Sequence, residues 1–189
     1  MSQIWGITTG PGSQARCWHA EHAIHGSWRP GHRHVHSNGG THAITDTLTL
    51  GQTNQPLSGL VGSGTPSNRV FGGPTPGVYT MTGGILTAVG DQSTGNATSG
   101  AGIIVGDAGN GTFNQIAGSV TSGVLGTQRG DLRIVTQAGS IGNYNLGDAT
   151  NATPALQVYG DTILGRDAGS GGNAAANGTL MIAGDGTTM

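Results

Sequence analysis

Eight times between Leu50 and Gly184 a short β-branched or aliphatic run stops at a glycine, often followed by Asp and small polar residues. This ladder constrains the fold more than any other feature of the chain. Its clear copies stop at Gly51, Gly90, Gly106, Gly147, Gly165 and Gly184, and weaker copies stop at Gly72 and Gly126. With a mean period of about 19 residues and one strand stop per period, the pattern predicts a β-solenoid, in which each coil buries a face only by stacking on its neighbours. Leu50, Val89, Val105, Leu146 and Leu164 each stand directly before a stop glycine, and the pattern predicts that they share one interior column.

A second register runs through the same region. Residues 77–87 align without a gap on residues 111–121, with Tyr79 meeting Phe113 and Leu86 meeting Val120. Thr136 to Ile141 reads as a shorter third copy further along the chain. Glycines suit the corners of such coils, because tight bends need positive φ and room for close backbone approach.

Composition narrows the possibilities. The chain of 189 residues has 38 Gly, 8% charged residues and a formal net charge of −2, with no lysine. High net charge and scarcity of β-branched residues mark disorder, and neither applies here. A near-neutral chain without a basic stripe offers no electrostatic footprint for nucleic acid or an anionic membrane. No apolar stretch approaches the ~18 residues of a membrane span, and the first residues lack the pattern of a secretory signal. Cys17 is the single cysteine, so no intrachain disulfide framework exists.

All seven His, all three Trp, the one Cys and the one Glu precede Ala43. Two regions are therefore expected: an irregular or capping His/Trp-rich leader over residues 1–42, and a repeat region over 43–189. The turn-forming cluster Ser37-Asn38-Gly39-Gly40-Thr41 is the expected boundary.

The runs at 77–84 and 105–121, rich in Gly and Thr, resemble the β-strand repeats of bacterial surface proteins, namely autotransporter-passenger-like chains and repeat proteins bearing a sorting signal. That resemblance covers about residues 43–189. It implies a right-handed parallel β-solenoid and an exported, extracellular or cell-surface setting.

The histidines form the one constellation that carries chemistry. His32, His34 and His36 alternate, so on a strand they project from one face, while His19 and His22 lie upstream with Cys17 and His25. Imidazole and thiolate suit Zn²⁺, Ni²⁺ or copper. The spacing matches no catalytic metal signature, and His32 and His36 stand about 13 Å apart on an extended strand. Loose Zn²⁺ or Ni²⁺ binding is the expectation, with no resident cofactor. Asp91, Asp107, Asp148 and Asp185 follow stop glycines and invite calcium, but the tandem G-G-x-G-x-D nonapeptides of calcium β-rolls are missing, and Asp after Gly is a common turn residue. Polysaccharide cleavage needs two carboxylates on one groove. Asp131 and Asp161 stand outside the strand-stop turns, and nothing in the sequence brings them together, while Tyr79, Tyr144 and Tyr159 look isolated. Catalysis is not expected.

The sequence thus points to a non-enzymatic structural or adhesive segment, with metal binding through the His-rich leader as the alternative. Its expected partners are further repeats, copies of itself stacked end to end, or a surface glycan or protein. The last motif, Gly184-Asp185-Gly186, is followed by no covering segment, which favours either continuation of the array or end-to-end stacking. Trp5, Trp18 and Trp28 would cover the other end.

Overall fold

The computed structural model describes residues 15–19, 22–29, 32–44, 46–51, 68–71, 76–90, 100–148, 153–165 and 176–184. These residues contain strands and no helix. The strands are β1 (Ala15–His19), β2 (His22–Arg29), β3 (His32–Ile44), β4 (Thr47–Leu50), β5 (Asn68–Phe71), β6 (Gly77–Ala88) and β7 (Ala101–Val105). They continue as β8 (Asn110–Val124), β9 (Gln128–Arg129), β10 (Asp131–Ile134), β11 (Ile141–Leu146), β12 (Ala155–Val158), β13 (Thr162–Leu164) and β14 (Asn177–Ile182).

Two sheets result. The larger has the order β1-β2-β3-β6-β8-β11-β14, with β12 on the second half of β8, and is parallel from β3 onward along this path. The smaller has the order β13-β10-β7-β4-β5 and is parallel throughout. The expected boundary after His42 has no counterpart in the larger sheet, because β3 runs through it and pairs with β6 at His42 and Ala43 alike.

Strand partners follow the spacing of the stop glycines between β4 and β5, where Leu50 faces Phe71, but not elsewhere. In the larger sheet Tyr79 faces Phe113, and Phe113 faces Tyr144. In the smaller sheet Val105 faces Ile134, and Ile134 faces Leu164. The interval expected from the stop glycines is therefore corrected: facing residues stand 29–36 apart in the sequence from β6 and β7 onward, and about 44 and 55 apart for β3–β6 and β4–β7. The stops are divided between the two sheets: Gly51, Gly106 and Gly165 follow strands of the smaller one, and Gly90, Gly126, Gly147 and Gly184 follow strands of the larger. The gap-free alignment of 77–87 on 111–121 is the true register apart from an irregularity around Thr82. The third copy is not. Ile141 faces Asn110, Gln137–Gly139 lie in the bend that precedes β11, and the partner of Ser119-Val120-Thr121 is Ala155-Leu156-Gln157.

The stops themselves are real backbone features. Gly51, Gly90, Gly106, Gly126, Gly147, Gly165 and Gly184 all have positive φ; Gly72 lies outside the described residues. After β10 the equivalent corner is Val135, with φ 67°, a conformation that costs a β-branched residue strain of roughly 1–3 kcal/mol. Its side chain is fully buried, which offsets part of that cost.

The predicted interior column is only partly formed. Leu50, Val105 and Leu164 do share one register column, with Ile134 between the last two. Leu146 is fully buried but belongs to the other sheet, opposite Gln115, and Val89 lies beyond the end of β6 and is half-buried. Alternation along the larger sheet turns Val35, Tyr79, Phe113 and Tyr144 inward in one column, ending at Leu180. Tyr79, Phe113 and Tyr144 stack ring on ring, with centroids 4.9 and 4.7 Å apart and planes within 22° and 6°. Tyr79 and Tyr144 are thus members of one stack rather than isolated. Tyr144 Oη donates to Gln115 Oε1 at 2.7 Å, and Tyr79 Oη shares a 3.0 Å hydrogen bond with His42 Nδ1.

Burial makes both phenols harder to ionise. It pushes the Tyr79 hydroxyl from 10.0 up to about 12, against a lowering hydrogen bond from Ser37. Burial, and then the charge of Tyr79, raise Tyr144 well above its ordinary value. A native-state pKa above the unfolded value means that the folded chain holds its proton longer. Stability is therefore full below pH ~10 and falls as pH rises through the window up to ~12, by on the order of 3 kcal/mol for Tyr79. Urea midpoints measured across this window should drop with rising pH, and Tyr79→Phe with Tyr144→Phe should flatten the drop.

Candidate functional site

Three features could carry function: the histidine strands, a polar ladder beside them, and a charged cluster on the smaller sheet. The histidines lie where the antiparallel β1-β2-β3 ribbon joins the parallel array. Val35 and Ser37 are buried, so His34 and His36 project from the opposite face, the first half-buried and the second exposed. Their rings lie 5.0 Å apart, tilted by 57°.

Of the residues singled out in sequence, His32, His34 and His36 share β3, as expected. His19 and His22 do not join them. They are paired with each other where β1 meets β2, whereas His32 is paired with Arg29 at the opposite end of β2. The residue whose backbone does reach the trio is His25, which stands directly opposite His36. Among the described residues no three His, Cys, Asp or Glu side chains converge in a metal-binding group. His42, which nothing in the sequence separates from the other histidines, is half-buried and stacked against Tyr79 at 6.1 Å. Trp18 and Trp28 lie on β1 and β2, and Trp5 lies outside the described residues.

Beside His36 begins a column of polar residues: Thr80, then Asn114, then Asn145. Asn145 Nδ2 donates to Asn114 Oδ1 at 2.7 Å, and Asn114 Nδ2 donates to Thr80 Oγ1 at 3.4 Å. His34, Val78, Thr112, Asn143 and Thr179 form a parallel column on the same face. Together they make a largely polar face interrupted by Val78, on which Thr80 is buried, Thr112, Asn114, Asn143 and Asn145 are half-buried and Thr179 is exposed.

The central strands of the smaller sheet, β4, β7 and β10, are buried on both faces. Leu48, Ile103 and Leu132 point into the core, while Thr49, Ile104 and Arg133 on the other side are 5%, 1% and 4% exposed. A buried guanidinium needs a counter-charge, and Asp131 supplies it: Arg133 Nη2 donates to Asp131 Oδ2 at 2.9 Å. The other oxygen, Oδ1, accepts the backbone N–H of Asp161 at 2.9 Å, and the Asp161 carboxylate pairs with Arg129 at 2.8 Å. Asp131 and Asp161 are thus brought together after all, at the starts of neighbouring strands. Both oxygens of Asp131 are engaged in holding the sheet, which suits a structural role. Asp131→Asn should cost about 3–5 kcal/mol by leaving Arg133 without its counter-charge, while the exposed Arg129→Ala should stay within about 1 kcal/mol. Chemical denaturation of the two variants checks the contrast.

Of the Asp residues beside stop glycines, Asp107 is buried and acts as a corner acceptor. Its carboxylate accepts from Thr136 Oγ1 and from Gln137 Nε2, and its carbonyl from Ser140 Oγ at 2.7 Å. Asp148 is half-buried, and Asp91 and Asp185 lie outside the described residues.

Comparison with protein-family models, curated proteins and solved structures gives no match to this chain.

Proposed function

We propose that the chain is a non-enzymatic structural or adhesive β-solenoid segment of a bacterial cell-surface or extracellular protein, able to assemble end to end. One observation carries this: the two sheets are ordered in step. β3, β6, β8 and β11 follow one another in the larger sheet, and the strands β4, β7, β10 and β13 follow in the same order in the smaller. A chain winding around one core gives that order, with β5 as an extra strand inserted between β4 and β6. On this reading the coils from β6 onward span 29–36 residues and the first coil is longer, where β5 is inserted.

The interior columns run on to edge strands. Leu164 on β13 and Ile182 on β14, in register with buried Ile134 and Leu146, are each 47% exposed, and Met181 is 49% exposed. A parallel edge bearing core-type side chains is a template for another strand. Light scattering across a concentration series should show growth that Leu164→Lys with Ile182→Lys abolishes while the melting temperature holds. A wild-type chain that stays monomeric at all concentrations would remove the assembly part of the proposal. The half-buried Asn114 and Asn145, with exposed Thr179 in the next column, are the surface that would meet a glycan or protein. Fractionation of the source cells tests the surface assignment, which a purely cytosolic distribution would contradict.

A further inference from the structure

We infer that a second copy of this chain docks tail to tail: the open end formed by β12, β13 and β14 meets the same end of the other copy across a two-fold axis, and assembly closes at a dimer. This rests on end-to-end assembly through the same edges and adds its polarity and its stopping point.

The two ends of the array differ. At the first, the antiparallel strand β2 takes the side of β3 away from β6, and β5 takes the side of β4 away from β7. The core side chains of these strands, Val35, Ile44, Leu48 and Leu50, are all buried. At the other end, β12, β13 and β14 have no further strand on their outer sides among the described residues. Leu164 and Ile182 stay half-exposed there, although Ile134 and Leu146, which they face, are fully buried. Head-to-tail stacking would therefore set an open edge against an end already closed by β2 and β5, whereas tail-to-tail docking sets two open edges together.

The open end suits contact with itself. β12 (Ala155–Val158), β13 (Thr162–Leu164) and β14 (Asn177–Ile182) carry no charged residue, and Asp161, directly before β13, is paired with Arg129. Charge is a usual guard of an exposed edge, and an isologous contact sets each patch against its own copy, so a charge near the axis would repel its mate. The end is also stepped. β11 and β12 pair with successive parts of β8, and β14 covers β11 alone. The two-fold axis brings the other copy's β14, running in the opposite direction, alongside the uncovered β12, and the first copy's β14 fills the same step in return. Each β14 then has a strand on both sides, and both edges pair in the antiparallel manner. The ends left facing outward are the two closed by β2 and β5, so this contact does not propagate.

Sedimentation equilibrium of the full chain across a range of concentrations tests the closure. The expected result is a monomer–dimer equilibrium that levels off at twice the chain mass. Species that keep growing beyond the dimer would overturn the tail-to-tail contact while leaving end-to-end assembly standing, and a monomer at every concentration would overturn both. Cross-linking locates the contact. With Cys17 changed to Ser, chains carrying Gln157→Cys are mixed with chains carrying Met181→Cys, both at exposed positions, and treated with a short bis-maleimide. A cross-linked dimer containing one chain of each kind is expected. Loss of the dimer in either variant, with its melting temperature unchanged, would equally place that position in the contact. A dimer that forms without giving the 157–181 cross-link would show that another surface holds it and would overturn the docking.

Discussion

Replacing Phe113 by alanine is expected to cost about 3–5 kcal/mol, a large share of the roughly 5–15 kcal/mol typical of a whole domain. Phe113 is fully buried at the centre of the aromatic stack, with Tyr79 on one side and Tyr144 on the other, at 4.9 and 4.7 Å. Removing it deletes the ring from the core and two stacking contacts at once, and parallel backbones on both sides prevent collapse around the void. Phe113→Leu should recover much of the loss. Urea unfolding of the three proteins gives the comparison, and a Phe113→Ala midpoint equal to that of the wild type would mean that the stack is not the core.

The second large effect is expected at Gly106, where the chain leaves β7. Its φ is +78°, and a Cβ there would lie 2.5 Å from the carbonyl oxygen of Ile141, the first residue of β11. Gly106→Ala therefore combines left-handed backbone strain with a backbone clash that cannot be relieved by a side-chain movement, and about 2–5 kcal/mol is the expected loss. Gly126 isolates the two causes. It has φ +74° and nothing within 4 Å of its notional Cβ, so Gly126→Ala should cost only the backbone contribution, about 1–2 kcal/mol. Equal losses at the two sites would show that corners do not stack closely on the following strand.

These residues also show what was legible in the sequence. Short β-branched runs ending at glycine do form strands ending in left-handed corners, and the match of Tyr79 with Phe113 is a true strand pairing. The spacing of the corners misled because the stops are divided between two sheets, so consecutive stops need not end neighbouring strands of one sheet. One corner was invisible as well: Val135 adopts the left-handed conformation without being glycine, so the stop after β10 left no mark in the sequence. The pairing of Asp131 with Asp161 depends on that same hidden repeat. In the histidine region alternation was enough to group His32, His34 and His36, but the partner of His36 is fixed by antiparallel register, which no spacing within one strand reveals.

The central claim is that from β6 and β7 onward facing residues of neighbouring strands stand 29–36 apart in the sequence, and paired cysteines test it most directly. With Cys17 changed to Ser, Asn114→Cys and Asn145→Cys occupy facing positions on β8 and β11. Adjacent strands about 4.8 Å apart bring their Cα atoms within disulfide range. Val124→Cys with Asn145→Cys is the pair that the spacing of the stop glycines would stack, each two positions before a stop, yet Val124 lies at the far end of β8 from Asn114. Mild oxidation followed by mass spectrometry under non-reducing conditions should show the 114–145 disulfide closed within the monomer and the 124–145 pair still reduced. Closure of the second pair and not the first would contradict the account.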